Sequence, residues 1–235
     1  MNSKKILIVK NITHEGPGLL QNAIEEHKHD YEIVDLSRGE AFPNPTAYSS
    51  LIVLGGPDSA NDISPNMENE IKMVKVAVDE GIPYLGICLG LQVLVKAKDG
   101  EVVRSWIREA GFIGPEGVNY YLNLTKMGKN DPIFYGVESP MKIFQLHGES
   151  VRLTKDMYLL ARGHLGSSEV VKIGRNAYGF QGHLELTESM LEEWIAQDKW
   201  LKRFNPDRLR AEYRTIQPKY ENNGKTIFRN FLNTL

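Results

Sequence analysis

The chain has 235 residues, 41% of them hydrophobic, which is enough for a sizeable α/β core. Its formal net charge of −2 lacks the basic excess that would indicate a nucleic acid or membrane-surface partner. No stretch approaches the ~18 apolar residues that a membrane span requires, and the apolar run after residues 1–5 is too short for a signal peptide. The single cysteine excludes an internal disulfide and paired-cysteine metal sites, and it agrees with a reducing compartment. Together these features predict a cytoplasmic protein that binds neither nucleic acid nor membranes.

Short apolar runs alternate with helix-like segments in the first hundred residues. Strands are predicted over residues 6–9, 33–36, 51–54 and 84–87, with helices over 18–27 and 66–80. The first run reads ILIV, as expected for a strand buried on both faces of a parallel sheet. This order predicts an α/β fold with a doubly wound, mostly parallel sheet flanked by helices, in which ligands bind at the carboxyl ends of the strands.

Residues 86–90 read GICLG and join the fourth predicted strand to a helix-like run over residues 91–97. A glycine on either side of Cys88 lets the strand turn abruptly into the helix and leaves the cysteine exposed at the turn in a strained backbone conformation. The start of a helix favours negative charge, and therefore a thiolate. The pattern indicates that Cys88 is a nucleophile; the alternative is a buried cysteine that packs as a small apolar residue.

The pattern changes beyond about residue 113. Closely spaced strand-like runs over residues 141–146, 158–161, 170–173 and 177–181 predict antiparallel additions to the sheet. Apolar residues then recur at helical offsets over 191–204, Pro206 ends that helix or opens another, and residues 222–224 (NNG) indicate a turn. We therefore expect a domain of residues 1–187 and a C-terminal helical extension, residues 188–235, packed on the same domain.

A cysteine nucleophile needs a base, and the base needs an orienting acid. Two segments, beginning at His147 and at His183, have the form H-x-E, which on an extended segment places imidazole and carboxylate on the same face. We prefer His183 with Glu185, because the glycines of residues 177–182 give the backbone room at a strand end. The sequence has no H-E-x-x-H motif, so no metal site is expected.

Five segments together resemble the class I glutamine amidotransferases, specifically the glutaminase domain of GMP synthase. In chain order they are residues 15–18 (EGPG), 54–59 (LGGPDS), 83–92 (PYLGICLGLQ), 144–149 (FQLHGE) and 179–185 (GFQGHLE). The GICLG segment alone would be a moderate indication. Five segments in the right order are specific, and the resemblance covers most of the chain.

This resemblance implies that Cys88, His183 and Glu185 form a triad that hydrolyses the side-chain amide of L-glutamine through a γ-glutamyl thioester, releasing glutamate and ammonia. It implies an oxyanion hole formed by the backbone amides of Gly56 and Leu89. The substrate-binding residues that it implies are Gly55, Pro57, Gln92, His147, Gly148 and Glu149. It implies no cofactor, and because motifs such as G-x-x-x-x-G-K-[ST] are missing, the ammonia would pass to an unknown acceptor or a separate synthetase subunit.

The chain departs from the family pattern beside both histidines. Relatives usually read Q-F-H-P-E and W-H-G-D, where this chain has QGHLE at residues 181–185 and LHGE at 146–149. Gly182 and Leu184 replace a bulky residue and a rigid proline, which predicts a less constrained His183. Two alternatives stay open: a γ-glutamyl hydrolase or peptidase that uses the same triad, and a non-catalytic binding module.

Overall fold

The computed structural model describes residues 4–164 and 166–235; residues 1–3, at the start of the segment considered as a signal peptide, lie outside it. The strands are β1 Ile6–Lys10, β2 Tyr31–Asp35, β3 Ser50–Val53, β4 Tyr84–Ile87, β5 Glu101–Gly111, β6 Tyr121–Leu124, β7 Met141–Lys142, β8 Gln145–Arg152, β9 Met157–Arg162, β10 Ser168–Ile173 and β11 Ala177–Phe180. The helices are α1 Gly18–Glu26, α2 Pro65–Asp79, α3 Leu89–Ala97, α4 Glu188–Gln197 and α5 Pro206–Leu232.

Within the described residues the main sheet has nine strands, in the order β2-β1-β3-β4-β11-β10-β9-β6-β7. The first five strands in that order are parallel, and each later strand is antiparallel to the one before it. The strands β5 and β8 pair separately. The predicted doubly wound sheet with antiparallel additions is confirmed, and its parallel part places the carboxyl ends of β1, β3, β4 and β11 side by side.

Both faces of β1 are buried, which explains its continuous apolar run. Ile6 and Ile8 belong to the core layer that contains α1 and α5, whereas Leu7 and Val9 belong to the layer that contains α2 and α3. Successive strand residues point to opposite faces. Because helices cover both faces, the four fully buried positions, residues 6–9, are all apolar.

The strands β5 and β6 are not predicted by the sequence. In β5 the pairing with β8 is interrupted between Arg104 and Glu109, and residues 104–108 are mostly exposed. A bulged, exposed strand has no regular alternation of apolar and polar residues to indicate it. The single run predicted over residues 141–146 is divided between β7 and β8.

The helix predicted over residues 191–204 is shorter in the structure, because α4 ends before Asp198. The Asp198 carboxylate accepts the N–H groups of Trp200 and Leu201, at 2.7 and 2.8 Å, and so stabilises a turn in place of a continued helix. Pro206 opens α5, as one of the two predicted outcomes has it. The Asn205 side chain caps that helix.

The turn predicted at residues 222–224 is wrong, since these residues lie inside α5. A Cβ added to Gly224 would lie 2.6 Å from the Leu184 carbonyl oxygen, so the glycine permits close helix packing. Phe228 and Phe231 of α5 are fully buried in the same core layer as β1. The domain boundary after residue 187 stays a prediction. Among the helices described, none is long and apolar enough to cross a membrane.

Glu70 on α2 is a buried carboxyl group whose protonation we expect to affect stability. Its Oε1 accepts a 3.0 Å hydrogen bond from Asn11, and burial raises the pKa of Glu70 from 4.5 to about 7. Between pH 4.5 and about 7, Glu70 of the folded protein holds a proton that Glu70 of the unfolded chain releases. The free energy of unfolding therefore falls as the pH rises through this range. Glu70→Gln should therefore raise the free energy of unfolding by ~1–3 kcal/mol at pH 8 and by much less at pH 5.

Urea denaturation at the two pH values measures this difference. Glu68→Gln is the matched control, because Glu68 lies on the same helix and is exposed. A stabilisation by Glu70→Gln that is equal at pH 5 and pH 8 would contradict the prediction.

Candidate active site

Cys88 lies at the turn between β4 and α3 with φ 53° and ψ −105°, a conformation that residues with a side chain rarely adopt. A Cβ added to Gly86 would lie 2.5 Å from the Gly90 carbonyl group, and one added to Gly90 would clash with the Val53 carbonyl oxygen. Both glycines are therefore required. The Cys88 amide donates to the Phe180 carbonyl oxygen at 2.7 Å, which ties the turn to β11.

His183 and Glu185 follow β11 and form a buried pair. The distance from His183 Nδ1 to Glu185 Oε1 is 2.7 Å, and each residue is only 1% exposed. Burial alone would lower the pKa of His183, but the Glu185 carboxylate and the contact with Cys88 raise that pKa well above its usual 6.5. The Glu185 carboxylate therefore favours the protonated form of the imidazole.

The two departures from the family pattern do not loosen His183. A Cβ added to Gly182 would clash with Ile143 and lie 2.8 Å from Gln145 Oε1, so these side chains fill the space of the missing bulky residue. The His183 ring also packs edge-on against Trp194, with centroids 4.8 Å apart. The expectation of a less constrained histidine is wrong. Leu184 even adds a contact, because its N–H, which proline lacks, donates to Glu185 Oε2 at 2.8 Å.

A cavity of about 690 Å³ opens beside Cys88. The sequence-predicted residues that line it are Gly56, Pro57, Cys88, Gln92, His147, Gly148 and Glu149. Gly55 lies in the wall behind, where an added Cβ would be 3.0 Å from His183 Cε1 and 3.5 Å from Cys88 Cβ. An added Cβ at Gly56 would lie 3.3 Å from the Leu89 side chain, so the two residues predicted to form the oxyanion hole are neighbours.

The second H-x-E segment has a different geometry from the first. The His147 ring contacts the Glu149 backbone carbonyl at 3.0 Å, while the Glu149 carboxylate accepts from Ser59. The carboxylate partner of His147 is Glu109 on β5, with Nε2 and Oε2 3.1 Å apart. The expectation that this segment pairs its own imidazole and carboxylate is wrong, because a buried residue of the neighbouring strand supplies the acid.

Gln92 and Gln181 form a buried chain of amides next to the thiol. Gln92 Nε2 lies 3.4 Å from Gln181 Oε1, and Gln181 Nε2 lies 3.8 Å from Cys88 Sγ. Sequence reasoning assigned Gln92 to the substrate pocket but gave Gln181 no role. In the structure Gln181 is a donor to the sulfur.

Three buried groups behind the pocket have potential metal-ligand atoms within 4.8 Å of one another: Glu109, His147 and Glu169. The contacts of Glu169 are with other side chains of the protein. Glu109 pairs with His147, and Glu169 accepts from Gln145 at 2.8 Å and from Ser167 at 2.7 Å. Glu109 Oε1 and His147 Nε2 have no hydrogen-bond partner among the described residues, so the part of the cluster that is hydrogen-bonded is the one around Glu169.

Trp200 and Glu15 are among the cavity residues to which sequence reasoning gave no role. The Trp200 ring contacts the guanidinium groups of Arg108 and Arg203, whose central carbons lie 4.5 and 4.1 Å from the ring centroid. Glu15 also lines the cavity. It follows β1 at the carboxyl edge of the sheet, where ligands of such folds bind, and that position was the signal that could have identified it.

Comparison with known proteins gives matches along most of the chain. Residues 10–202 match the family Glutamine amidotransferase class-I. The glutamine amidotransferase-like protein YfeJ of Salmonella typhimurium is 30% identical over 197 residues, which are 81% of this chain and 80% of that protein. A glutamine-hydrolysing GMP synthase of Natranaerobius thermophilus is 27% identical over 191 residues, 78% of this chain and 34% of that protein. The chain thus spans about a third of that synthase.

A third relative carries the name of a hydrolase. The γ-glutamyl-L-1-hydroxyisopropylamide hydrolase of a Pseudomonas species is 28% identical over 144 residues, 60% of this chain and 48% of that protein. Among solved structures, a glutamine amidotransferase from Methylobacillus flagellatus superposes with a TM-score of 0.87 at 21% identity, over 100% of this chain and 96% of that one. This likeness shows the fold.

Proposed function

The chain belongs to the class I glutamine amidotransferase family, and we propose that it is a glutaminase that hydrolyses the side-chain amide of L-glutamine to glutamate and ammonia. The observation that carries the proposal is the strained Cys88 at the start of α3, beside the buried pair of His183 and Glu185. A nucleophile, a base and an orienting acid are the three groups that acyl transfer through a covalent intermediate requires.

In the proposed reaction, the Cys88 thiolate attacks the amide carbon of glutamine. The backbone amides of Gly56 and Leu89 bind the oxyanion, each such donor lowering the barrier by ~3 kcal/mol. His183 passes its proton to the nitrogen as the C–N bond breaks, which leaves a γ-glutamyl thioester. His183 then takes a proton from water, and the hydroxide releases glutamate. Glu185 holds the imidazole and stabilises its charge.

The proposal extends to the remaining predicted residues and to the fate of ammonia. Gln92 and the segment 147–149 would hold the glutamyl moiety, since they line the cavity next to Cys88. Gly55 and Pro57 would shape the loop that carries the oxyanion donor. Ammonia would pass to a synthetase partner, because the relative named GMP synthase has about two thirds of its length outside the matching region.

A second candidate is a γ-glutamyl hydrolase that uses the same three residues on a substrate larger than glutamine. One relative is named as a hydrolase of a γ-glutamyl amide. The cavity of about 690 Å³ also falls in the ~300–1,000 Å³ range of pockets that take ligands well above the size of one amino acid. Both observations favour room for a substituent on the amide nitrogen.

Glutamate release by the purified chain, from L-glutamine and from a series of γ-glutamyl alkylamides, tests the proposal. A higher kcat/KM for glutamine than for any alkylamide supports the glutaminase. An alkylamide preferred by tenfold or more supports the hydrolase instead. If no substrate releases glutamate, alone or with a candidate synthetase added, the proposal is refuted and the binding-module hypothesis gains support.

Leu184→Pro, which restores the proline common in the family, should lower kcat/KM by ~10-fold or more. It removes the N–H that donates to Glu185 Oε2, and a hydrogen bond to a charged group contributes ~1.5–3 kcal/mol. Leu184→Ala is the control, because it truncates the same buried side chain but keeps the N–H. With rates expressed per folded protein, equal activity of the two variants would contradict the prediction.

A further inference from the structure

Glu15 is a buried acid that the reaction described above does not use. It is 8% exposed and lines the same cavity as Cys88. Its Oε2 atom is buried and has no hydrogen-bond partner among the described residues. Burial of a carboxyl oxygen without a donor is unfavourable, so a donor on a group bound in the adjoining cavity would stabilise Glu15.

The position of Glu15 is defined by its neighbours around Gly55. A Cβ added to Gly55 would overlap Glu15 Oε2 and would lie 3.0 Å from His183 Cε1 and 3.5 Å from Cys88 Cβ. The carboxylate, the imidazole and the cysteine therefore pack around the same glycine. His183 Nδ1 is bound to Glu185, so Nε2 is the nitrogen free for chemistry; the ring atom that lies with Glu15 Oε2 around Gly55 is Cε1, the carbon between the two nitrogens.

The loop that carries Glu15 is fixed by the same elements that fix the histidine. The Glu15 amide donates to the Ile12 carbonyl oxygen at 3.2 Å, and the neighbouring His14 carbonyl accepts from the Trp194 indole at 3.1 Å. Trp194 also packs against His183. Trp194 thus holds both the loop of Glu15 and the His183 ring. Such a contact suits a group that has to keep a constant distance from the reacting atoms.

The surroundings of Glu15 leave its carboxyl group close to balance between the ionised and neutral forms at neutral pH. Burial raises the pKa of Glu15 from 4.5 to about 7, and Glu185 and Asp198 act in the same direction. The charges of His183 and Lys10 act against them. A donor from a bound ligand would favour the ionised form, which is the stronger acceptor.

We propose that Glu15 accepts a hydrogen bond from the nitrogen of the leaving amine, and that the site therefore selects substrates whose leaving group carries an N–H. The proposal rests on the proposed function. To receive the proton of His183, the leaving nitrogen has to lie beside Nε2. Glu15 is the unpartnered acceptor at that edge of the ring, whereas Gln92 and the segment 147–149 lie on other elements and are assigned to the glutamyl moiety.

The step needs no additional reactant. When the tetrahedral intermediate collapses, the C–N bond breaks, its electron pair stays on nitrogen, and nitrogen takes the Nε2 proton of His183. The product leaves as ammonia or a primary amine. Throughout the step Glu15 accepts a hydrogen bond from one N–H of this nitrogen and takes up no proton. Its role is to orient the nitrogen towards His183.

The test compares an amide with an ester in Glu15→Gln and the wild type. The substrates are L-glutamine and the γ-methyl ester of L-glutamate, whose leaving oxygen has no hydrogen to donate before His183 protonates it. We expect kcat/KM for glutamine to fall ~10-fold to 100-fold in the variant, while kcat/KM for the ester changes less than ~3-fold. Because each comparison is a ratio of two substrates within one protein sample, partial unfolding of the variant cancels.

Glu70→Gln is the matched control, since it neutralises another buried glutamate with a raised pKa that lies outside the cavity. It should leave the amide-to-ester ratio unchanged. Equal losses on both substrates in Glu15→Gln would overturn the role of Glu15 alone. If the wild type shows no Cys88-dependent turnover of either substrate, the proposed function itself is overturned, together with the role of Glu15.

Discussion

Cys88→Ala should lower kcat for glutamine hydrolysis by ~10⁴-fold or more. The variant keeps the cavity and the His183–Glu185 pair but has no atom that can form the thioester. Members of a catalytic unit are strongly non-additive, so Cys88→Ala combined with His183→Ala should be hardly less active than Cys88→Ala alone. Glutamate release with single and double variants measures both effects.

Cys88→Gly is the matched control for the strained backbone. It should be as inactive as Cys88→Ala, but more stable by ~1 kcal/mol, because glycine adopts φ 53° without strain. Since Cys88 is the single cysteine, a γ-glutamyl thioester trapped by rapid acid quench and detected by mass spectrometry has one thiol to which it can be attached. Retention of glutaminase activity in Cys88→Ala would refute the assignment of the nucleophile.

Glu185→Gln should lower kcat by ~10²–10⁴-fold although it only replaces one carboxylate oxygen by an NH₂ group. Glu185 accepts two hydrogen bonds, one from His183 Nδ1 and one from the Leu184 N–H. A glutamine can accept only one of them with its oxygen. If it keeps the bond from Leu184, its amino group faces Nδ1 and moves the imidazole proton to Nε2, which can then no longer accept the thiol proton.

The same substitution removes the negative charge that raises the pKa of His183. The pKa of His183, followed through the pH dependence of its imidazole NMR signals, should fall from well above 6.5 in the wild type towards or below that value. Glu109→Gln is the control, because it makes the same change beside His147, the other buried histidine. It should raise KM more than it lowers kcat; a larger loss of kcat than in Glu185→Gln would identify His147 as the base.

The parallel half of the fold was predictable because its signals are local. Strands buried on both faces require unbroken apolar runs, and the runs at residues 6–9 and 84–87 correspond to β1 and β4. The strand β5 was not predicted, because its exposed bulge has no regular alternation of apolar and polar residues. The turn predicted at residues 222–224 failed for a related reason, since the contact between Gly224 and Leu184 joins residues far apart in the chain.

The sequence by itself determined the position of Cys88 between two glycines and limited the candidate imidazole–carboxylate pairs to two H-x-E segments, of which His183 with Glu185 was preferred. Both depend on a few consecutive residues, whose backbone geometry their own side chains restrict. Only the tertiary structure decided that Glu109 pairs with His147, that Ile143 and Gln145 fill the space beside Gly182, and that Glu15 lies beside the base with a free oxygen. These are contacts between separate elements, and their distances depend on how the whole core packs.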